Sequence, residues 1–330
     1  EYIIDINDLS KSDIVDAIVN FAKRYSSNIA ERLVDESNVI QKQSRTKLVS
    51  TINVLSRSDL VEAYIADLEN PLHSLRAGEG RISMGKKRTK LETIWLAIMP
   101  FAGKFLLGDY KAIIKEYKAC TICKGLALIG LYAAGLTGAR AGDSLEIIPI
   151  FDGILRAEII KYYMDAISYK YTDLYRKISN AIDVLPDYLT PRIVLIDLAT
   201  TPQGPKLFNL MRTSNSSWHM VSIRFTKGAT QLRGFEELNI DPLILGLTLI
   251  RADAIAQLNE IIDIALRRLQ AKKRGAKGVK IDVDAIDLIV RFLEYRNPDL
   301  LYKAIRELYK DEEVRRSLSF DLAKELASII

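Results

Sequence analysis

Histidine is almost absent from this chain, with only His73 and His219 in 330 residues. Acid–base chemistry run through imidazole therefore has few places to reside. Cysteine is as scarce: Cys120 and Cys123 are the whole complement. That excludes a disulfide-stapled scaffold and sets the expectation of an intracellular, cytoplasmic protein. With 17 glycines and 9 prolines the chain is neither collagen-like nor of low complexity. Long apolar runs are missing too. Residues 122–141 are interrupted by Lys124 and several glycines, and residues 242–250 fall short of the ~20 residues a membrane span needs, so no membrane partner is expected. Glu1–Asp5 shows neither the basic nor the apolar region of a secretory leader, and the absence of an initial Met leads us to expect a trimmed start. A large charge of one sign is also lacking, since 47 Lys and Arg face 42 Asp and Glu, for a formal charge of +5.

What remains is the composition of a globular protein, 48% hydrophobic and 27% charged. Isoleucine, lysine and glutamate are abundant, in keeping with a thermophile. The length favours two domains, drawn here as an α+β domain over 1–235 with basic loops and the Cys helix, and a helical domain over 236–330. Ser10 or Ser12 caps an expected first helix, with Ile14, Ala17, Ile18, Phe21 and Ala22 along one stripe. A single helix is expected from about 46 to 68, and short helical pieces over 91–118. Cys120 opens a Gly- and Ala-containing helix, and 156–182 forms another, rich in tyrosine. Residues 144–151, 191–198 and 218–225 read as strands, the middle one as a buried β-branched run. Beyond Pro242 the pattern is helical, with breaks at 275–278, Asn297-Pro298 and Asp311. The fold class is thus α+β and predominantly helical, with a small antiparallel or mixed sheet near the middle and a C-terminal helical bundle.

Catalytic fingerprints for phosphate loops, zinc proteases, nucleophile elbows and calcium loops are absent. His219 beside Trp218 reads as a packed strand histidine. Asp152, Glu158 and Asp165 could meet on one side of the sheet, Asp152 and Glu158 being the acids a metal-dependent nuclease would use, and nothing selects the three over a salt-bridged surface. Cys120 and Cys123 form a C-x-x-C pair without the second pair that a structural zinc normally requires. Two small buried side chains at a helix start is the plainer reading, with a Cys₂His₂ zinc completed by His73 and His219, or a redox dithiol, as the alternatives.

Positive charge is unevenly spread. Residues 76–90 carry Arg76, Arg81, Lys86, Lys87, Arg88 and Lys90 against Glu79 alone, in a Gly-containing loop suited to phosphate contact. Residues 198–235 hold Lys206, Arg212, Arg224, Lys227 and Arg233 with no acid, interleaved with Phe208, Trp218, Phe225 and Phe235. Residues 267–280 hold Arg267, Arg268, Lys272, Lys273, Arg274, Lys277 and Lys280, again with no acid. Each cluster has a plainer reading as a solvated face or, for the third, as cations drawn to a helix C-terminus. Segregated charge beside aromatic rings nonetheless suits single-stranded nucleic acid, with Trp218 as a stacking platform.

The segment Thr-Ile-Trp-Leu-Ala-Ile-Met-Pro-Phe-Ala-Gly-Lys-Phe-Leu-Leu-Gly-Asp (93–109), followed by Lys-Ala-Cys-Thr-Ile-Cys-Lys-Gly-Leu-Ala-Leu-Ile-Gly-Leu (118–131), resembles the archaeal Csa-type large subunit of the type I-A CRISPR interference complex, archaeal Cascade. The resemblance is sharpest over 78–136. It implies a non-catalytic subunit that binds CRISPR RNA and target DNA. It would sit with backbone and small subunits, help recognise the target beside its adjacent motif and recruit a separate helicase and nuclease. It implies a structural or zinc-like role for Cys120 and Cys123, which the missing second pair disfavours, so no cofactor is expected. The binding residues expected are Arg81, Lys86, Lys87, Arg88, Lys90, Arg212, Trp218, Arg224, Lys227, Arg233, Arg267, Arg268, Lys272, Lys273, Arg274 and Lys277. The rival readings are a protein–protein scaffold whose basic clusters serve acidic partners, and the nuclease above.

Overall fold

The computed structural model describes residues 10–36, 45–67, 81–84, 87–90, 92–93, 118–152, 157–214, 216–226 and 232–330. Two compact units result. The smaller is drawn from residues up to Gly135 with Ile223–Phe235, the larger from Leu136–Ser222 with Glu236–Ile330.

In the smaller unit, α1 (Lys11–Glu36) begins at a reciprocal cap. The Asp13 amide donates to Ser10 Oγ at 3.2 Å, and the Ser10 amide donates to Asp13 Oδ2 at 3.1 Å. Those Ser10 bonds hold the Asp13 carboxyl below its usual range. The buried stripe of α1 runs through Val15, Val19, Ala22, Ile29 and Ala30. It is rotated by about one position from the expected one, and Ala17 is exposed. The expected single helix over 46–68 is two, α2 (Arg45–Asn53) and α3 (Ser58–Asp67), joined by a 3₁₀ turn at Val54–Ser56. The corner carries Asn53, Ser56 and Ser58, whose short polar side chains compete with helix continuation, and it sinks Leu55 completely. Helix α4 (Thr121–Ala134) closes this core with Ile122 and Leu128 against Leu48, Ile52 and Val61. Within 76–90, strands β1 (Arg81–Met84) and β2 (Lys87–Lys90) pair antiparallel, so part of the expected loop is a hairpin. Of the helical pieces expected over 91–118, the described residues are strands instead, β3 (Glu92–Thr93) and β4 (Lys118–Ala119), paired antiparallel.

The sheet expected near the middle is four-stranded and antiparallel. Strands β5 (Leu136–Arg140), β6 (Asp143–Asp152), β7 (Ser217–Thr226) and β8 (Leu232–Asn239) follow one another in sequence order across it. Ala141 and Gly142, both at positive φ (51° and 94°), make the two-residue turn that sets Arg140 opposite Asp143. Helix α5 (Ala157–Ala181) packs on β5.

The strand expected at 191–198 is a helix, α6 (Leu189–Ala199). Pro191 lies in the first turn, where its missing N–H breaks no intrahelical bond. Every other residue of α6 except Arg192 is buried. A segment apolar on all sides carries no period that separates buried helix from buried strand. It is the central helix of this unit. It touches α5, α7 (Gly204–Thr213), α8 (Asp241–Thr248), α9 (Ala252–Lys273) and α10 (Val283–Tyr295). The C-terminal bundle ends with α11 (Pro298–Leu308), α12 (Glu312–Ser317) and α13 (Phe320–Ala327), its breaks at the expected places. Among the described residues no helix is long and apolar enough to cross a membrane.

Inside the larger unit lies an ionic cluster that the sequence reading did not find. Lys177, 3% exposed, places Nζ 3.0 Å from Asp197 Oδ2 and 2.9 Å from Asp263 Oδ1, and it also donates to Asn259. Lys170 meets the other oxygen of Asp197 at 2.7 Å, and Asn259 Nδ2 donates to that oxygen at 3.1 Å. Burial alone would raise the Asp197 carboxyl; the Lys177 and Lys170 ammoniums more than reverse it and hold it low. Burial dominates at Asp263, which is raised.

Helices α8 and α10 approach closely at Gly246, where a β-carbon would lie 2.1 Å from the Leu293 carbonyl oxygen. Gly246→Ala is therefore expected to cost about 3 kcal/mol in chemical denaturation, the upper end for overpacking. Gly130→Ala in α4, with open space around it, should gain about 0.5–1 kcal/mol from helix propensity. Equal effects at the two positions would contradict this packing.

Candidate nucleic-acid interface

The cationic end of α9 is the best-defined of the three clusters. The helix stops in a Schellman motif: the Ala276 amide donates to Ala271 O at 2.9 Å, and the Gly275 amide donates to Lys272 O at 3.0 Å. That turn needs a left-handed residue, and Gly275 supplies it at φ 87°. The cations around it divide into two kinds. Arg268 is structural. Its guanidinium meets both oxygens of the fully buried Asp311 at 3.0–3.1 Å and fastens α9 to the start of α12. Burial pushes the Asp311 carboxyl up, and Arg268 outweighs it and holds it low. Lys272 is tied to Asp282 and to the Ile281 carbonyl. Lys273 is tied to the Asp183 carbonyl at 3.0 Å. Arg267, Arg274, Lys277 and Lys280 are exposed, and among the described residues no acid pairs with them. The expected site therefore keeps Arg267, Arg274 and Lys277 as available cations, while Arg268, Lys272 and Lys273 serve the fold.

The hairpin of β1 and β2 sets Arg81 opposite Lys90, Ser83 opposite Arg88 and Met84 opposite Lys87. Of these only Arg81 and Lys90 are like charges at facing positions, which is unfavourable in an isolated hairpin, a cost that an anion removes. Their side chains, and Lys86 itself, lie outside the described residues.

The middle stretch fares differently. Arg212 is exposed in the last turn of α7. Arg224 is half-buried in β7, Lys227 lies outside the described residues, and Arg233 has only its backbone placed, in β8. Trp218 is corrected. It is 5% exposed, its indole N–H donates to Ser214 Oγ at 3.2 Å, and its amide donates to Asp241 Oδ1 at 2.8 Å. It is a core residue, and its buried ring offers no open platform for a base. Lys206, not among the expected contacts, lies over the Tyr162 ring, 4.5 Å from its centre, and donates to its hydroxyl.

The cysteine pair opens α4 as a helix cap. Cys120 is fully buried, and its Sγ accepts from the Cys123 amide at 3.4 Å. Tyr64 Oη lies 3.3 Å from Cys123 Sγ. A side-chain hydrogen bond with Cys123 and burial push the Cys120 thiol up, against the opposing pull of the Cys123 amide, which is the reverse of an activated thiolate nucleophile. His73 lies outside the described residues. His219 sits by Ser217 and Glu237. Glu158 and Asp165 are exposed on α5, and the Asp152 side chain lies outside the described residues. Among the described residues no group of three or more His, Cys, Asp or Glu is placed to hold a metal ion.

Fold and charge together define a mainly helical α+β protein with a group of exposed cations at the end of α9 and further basic residues in the sequence of the β1–β2 hairpin. The sequence profile of the CRISPR-associated protein family Cas_Csa4 matches residues 6–330, nearly the whole chain, and the chain belongs to that family. Membership makes it a CRISPR-associated protein that works with other proteins of that kind. No curated protein matches the sequence.

Proposed function

We propose that the chain is a non-catalytic, nucleic-acid-binding large subunit of a cytoplasmic type I CRISPR effector complex. Its ligands are CRISPR RNA and target DNA, and its neighbours are the backbone and small subunits with a separate helicase and nuclease. The carrying observation is the group of exposed cations Arg267, Arg274, Lys277 and Lys280 without acidic partners among the described residues. Such a surface tracks phosphates, and in RNA-guided recognition base pairing supplies the sequence reading, so the protein needs little more. The charge of the hairpin supports the same reading. Alanine at Lys86, Lys87 and Arg88 together is expected to weaken DNA binding and to flatten its salt dependence by about one unit of slope for each phosphate left unneutralised. Affinity and slope unchanged from the parent protein would remove the hairpin from the interface.

A further inference from the structure

We propose that the outer face of α11 is a stacking platform for an unpaired nucleic-acid strand. The helix buries Leu301, Ala304 and Leu308. To one side of that buried stripe Tyr302 and, at the C-cap, Tyr309 stand 69% and 50% exposed, and Arg306 is exposed between them in sequence. Residues seven apart on a helix lie ~10.5 Å apart along its axis and only ~20° apart around it, so the two tyrosines stand nearly in line. Lys303 and Lys310 flank them. The acids of the helix do not cancel this charge. Asp299 sits in the first turn, where the helix dipole favours it. Glu307 is 15% exposed and holds Lys310. Arg306 reaches Glu307 only at 4.0 Å, and Lys303 has no acidic partner among the described residues.

Open aromatic rings alternating with cations supply both needs of a single strand, a flat surface for bases and positive charge for phosphates. A duplex hides its base faces and would leave the rings unused. An acidic peptide would need the cations but not rings in line. Just past its C-terminus the chain is tied to the end of α9. Asp311 follows Tyr309 by two residues, and its carboxylate takes both Arg268 and the Lys280 amide, the latter at 3.4 Å. The proposal rests on the nucleic-acid reading above, and it adds the single-strand class and the residues that select it.

The test uses the full chain and a labelled oligo-dT strand carrying 5-iododeoxyuridine. Tyr302→Ala with Tyr309→Ala should weaken strand binding about a hundredfold, at roughly tenfold for each stacking ring removed. Tyr302→Phe with Tyr309→Phe, which keeps both rings, should stay within about twofold, and duplex binding should change little in either. Photocrosslinks should map to Tyr302 or Tyr309. Crosslinks confined to other segments, with the alanine pair binding as the parent does, would overturn this proposal and leave the wider reading standing; the face would then belong to a protein partner. A parent chain that binds no strand at all would overturn both.

Discussion

Asp197→Ala is expected to lower the stability of the larger unit by about 3–5 kcal/mol, the usual cost of removing one partner from a buried ion pair. Lys177 is 3% exposed and would keep only Asp263 and Asn259, while Lys170 would lose its acid. At about 2–4 °C per kcal/mol for a domain of this size, the melting temperature should fall by roughly 10 °C. The pH dependence has a definite sign. Asp197 lies below its unfolded value in the folded state, so its contribution is present at neutral pH and lost as pH falls through the lowered value. Asp263 lies above its unfolded value, so its burial costs stability at neutral pH, and that cost disappears on acidification through the raised value. The parent should therefore lose stability at low pH more steeply than Asp197→Ala. Denaturant titrations at several pH values measure this. A loss under about 1 kcal/mol, as for an exposed pair, would contradict the buried cluster.

Joint replacement of Arg267, Arg274, Lys277 and Lys280 by alanine should weaken nucleic-acid binding about a hundredfold and make its log–log salt slope shallower by roughly three, at ~0.7 per neutralised phosphate on a single strand. These side chains are exposed and hold nothing else among the described residues, so the melting temperature should not move. The contrast is Arg268→Ala, which strands the buried Asp311 and should destabilise the protein. Lys272→Ala and Lys273→Ala, whose amines are already engaged by Asp282 and Asp183, should alter the slope least. A quadruple variant that binds as the parent does would remove the α9 end from the interface.

The helices of the C-terminal bundle were legible because capping residues and breakers mark them: Gly275, Asn297-Pro298 and Asp311 all act where the sequence puts them. Residues 144–151 and 218–225 were legible as strands from β-branched runs and alternation. Helix α6 was not, because burial on every side erases the period that separates helix from strand. Cationic clusters were visible, but their division into free and engaged side chains was not. Arg267 and Arg268 are neighbours in sequence, and only the fold brings Asp311 to one and leaves the other in solvent. Trp218 was misread for a related reason: an aromatic residue beside basic ones looks the same in sequence whether it faces water or the core. The face of α11 passed unnoticed because its tyrosines resemble a core stripe until Leu301, Ala304 and Leu308 are seen to take that role.

The most direct test of the central claim is fluorescence anisotropy of the full chain with single-stranded DNA, duplex DNA and RNA of equal length, across a salt series. The account predicts binding to a single strand whose affinity falls linearly on log–log axes with a slope of about −3 or steeper, as ~0.7 per phosphate over the α9 cations requires. No binding to any of the polymers at low salt, or binding indifferent to salt, would contradict it.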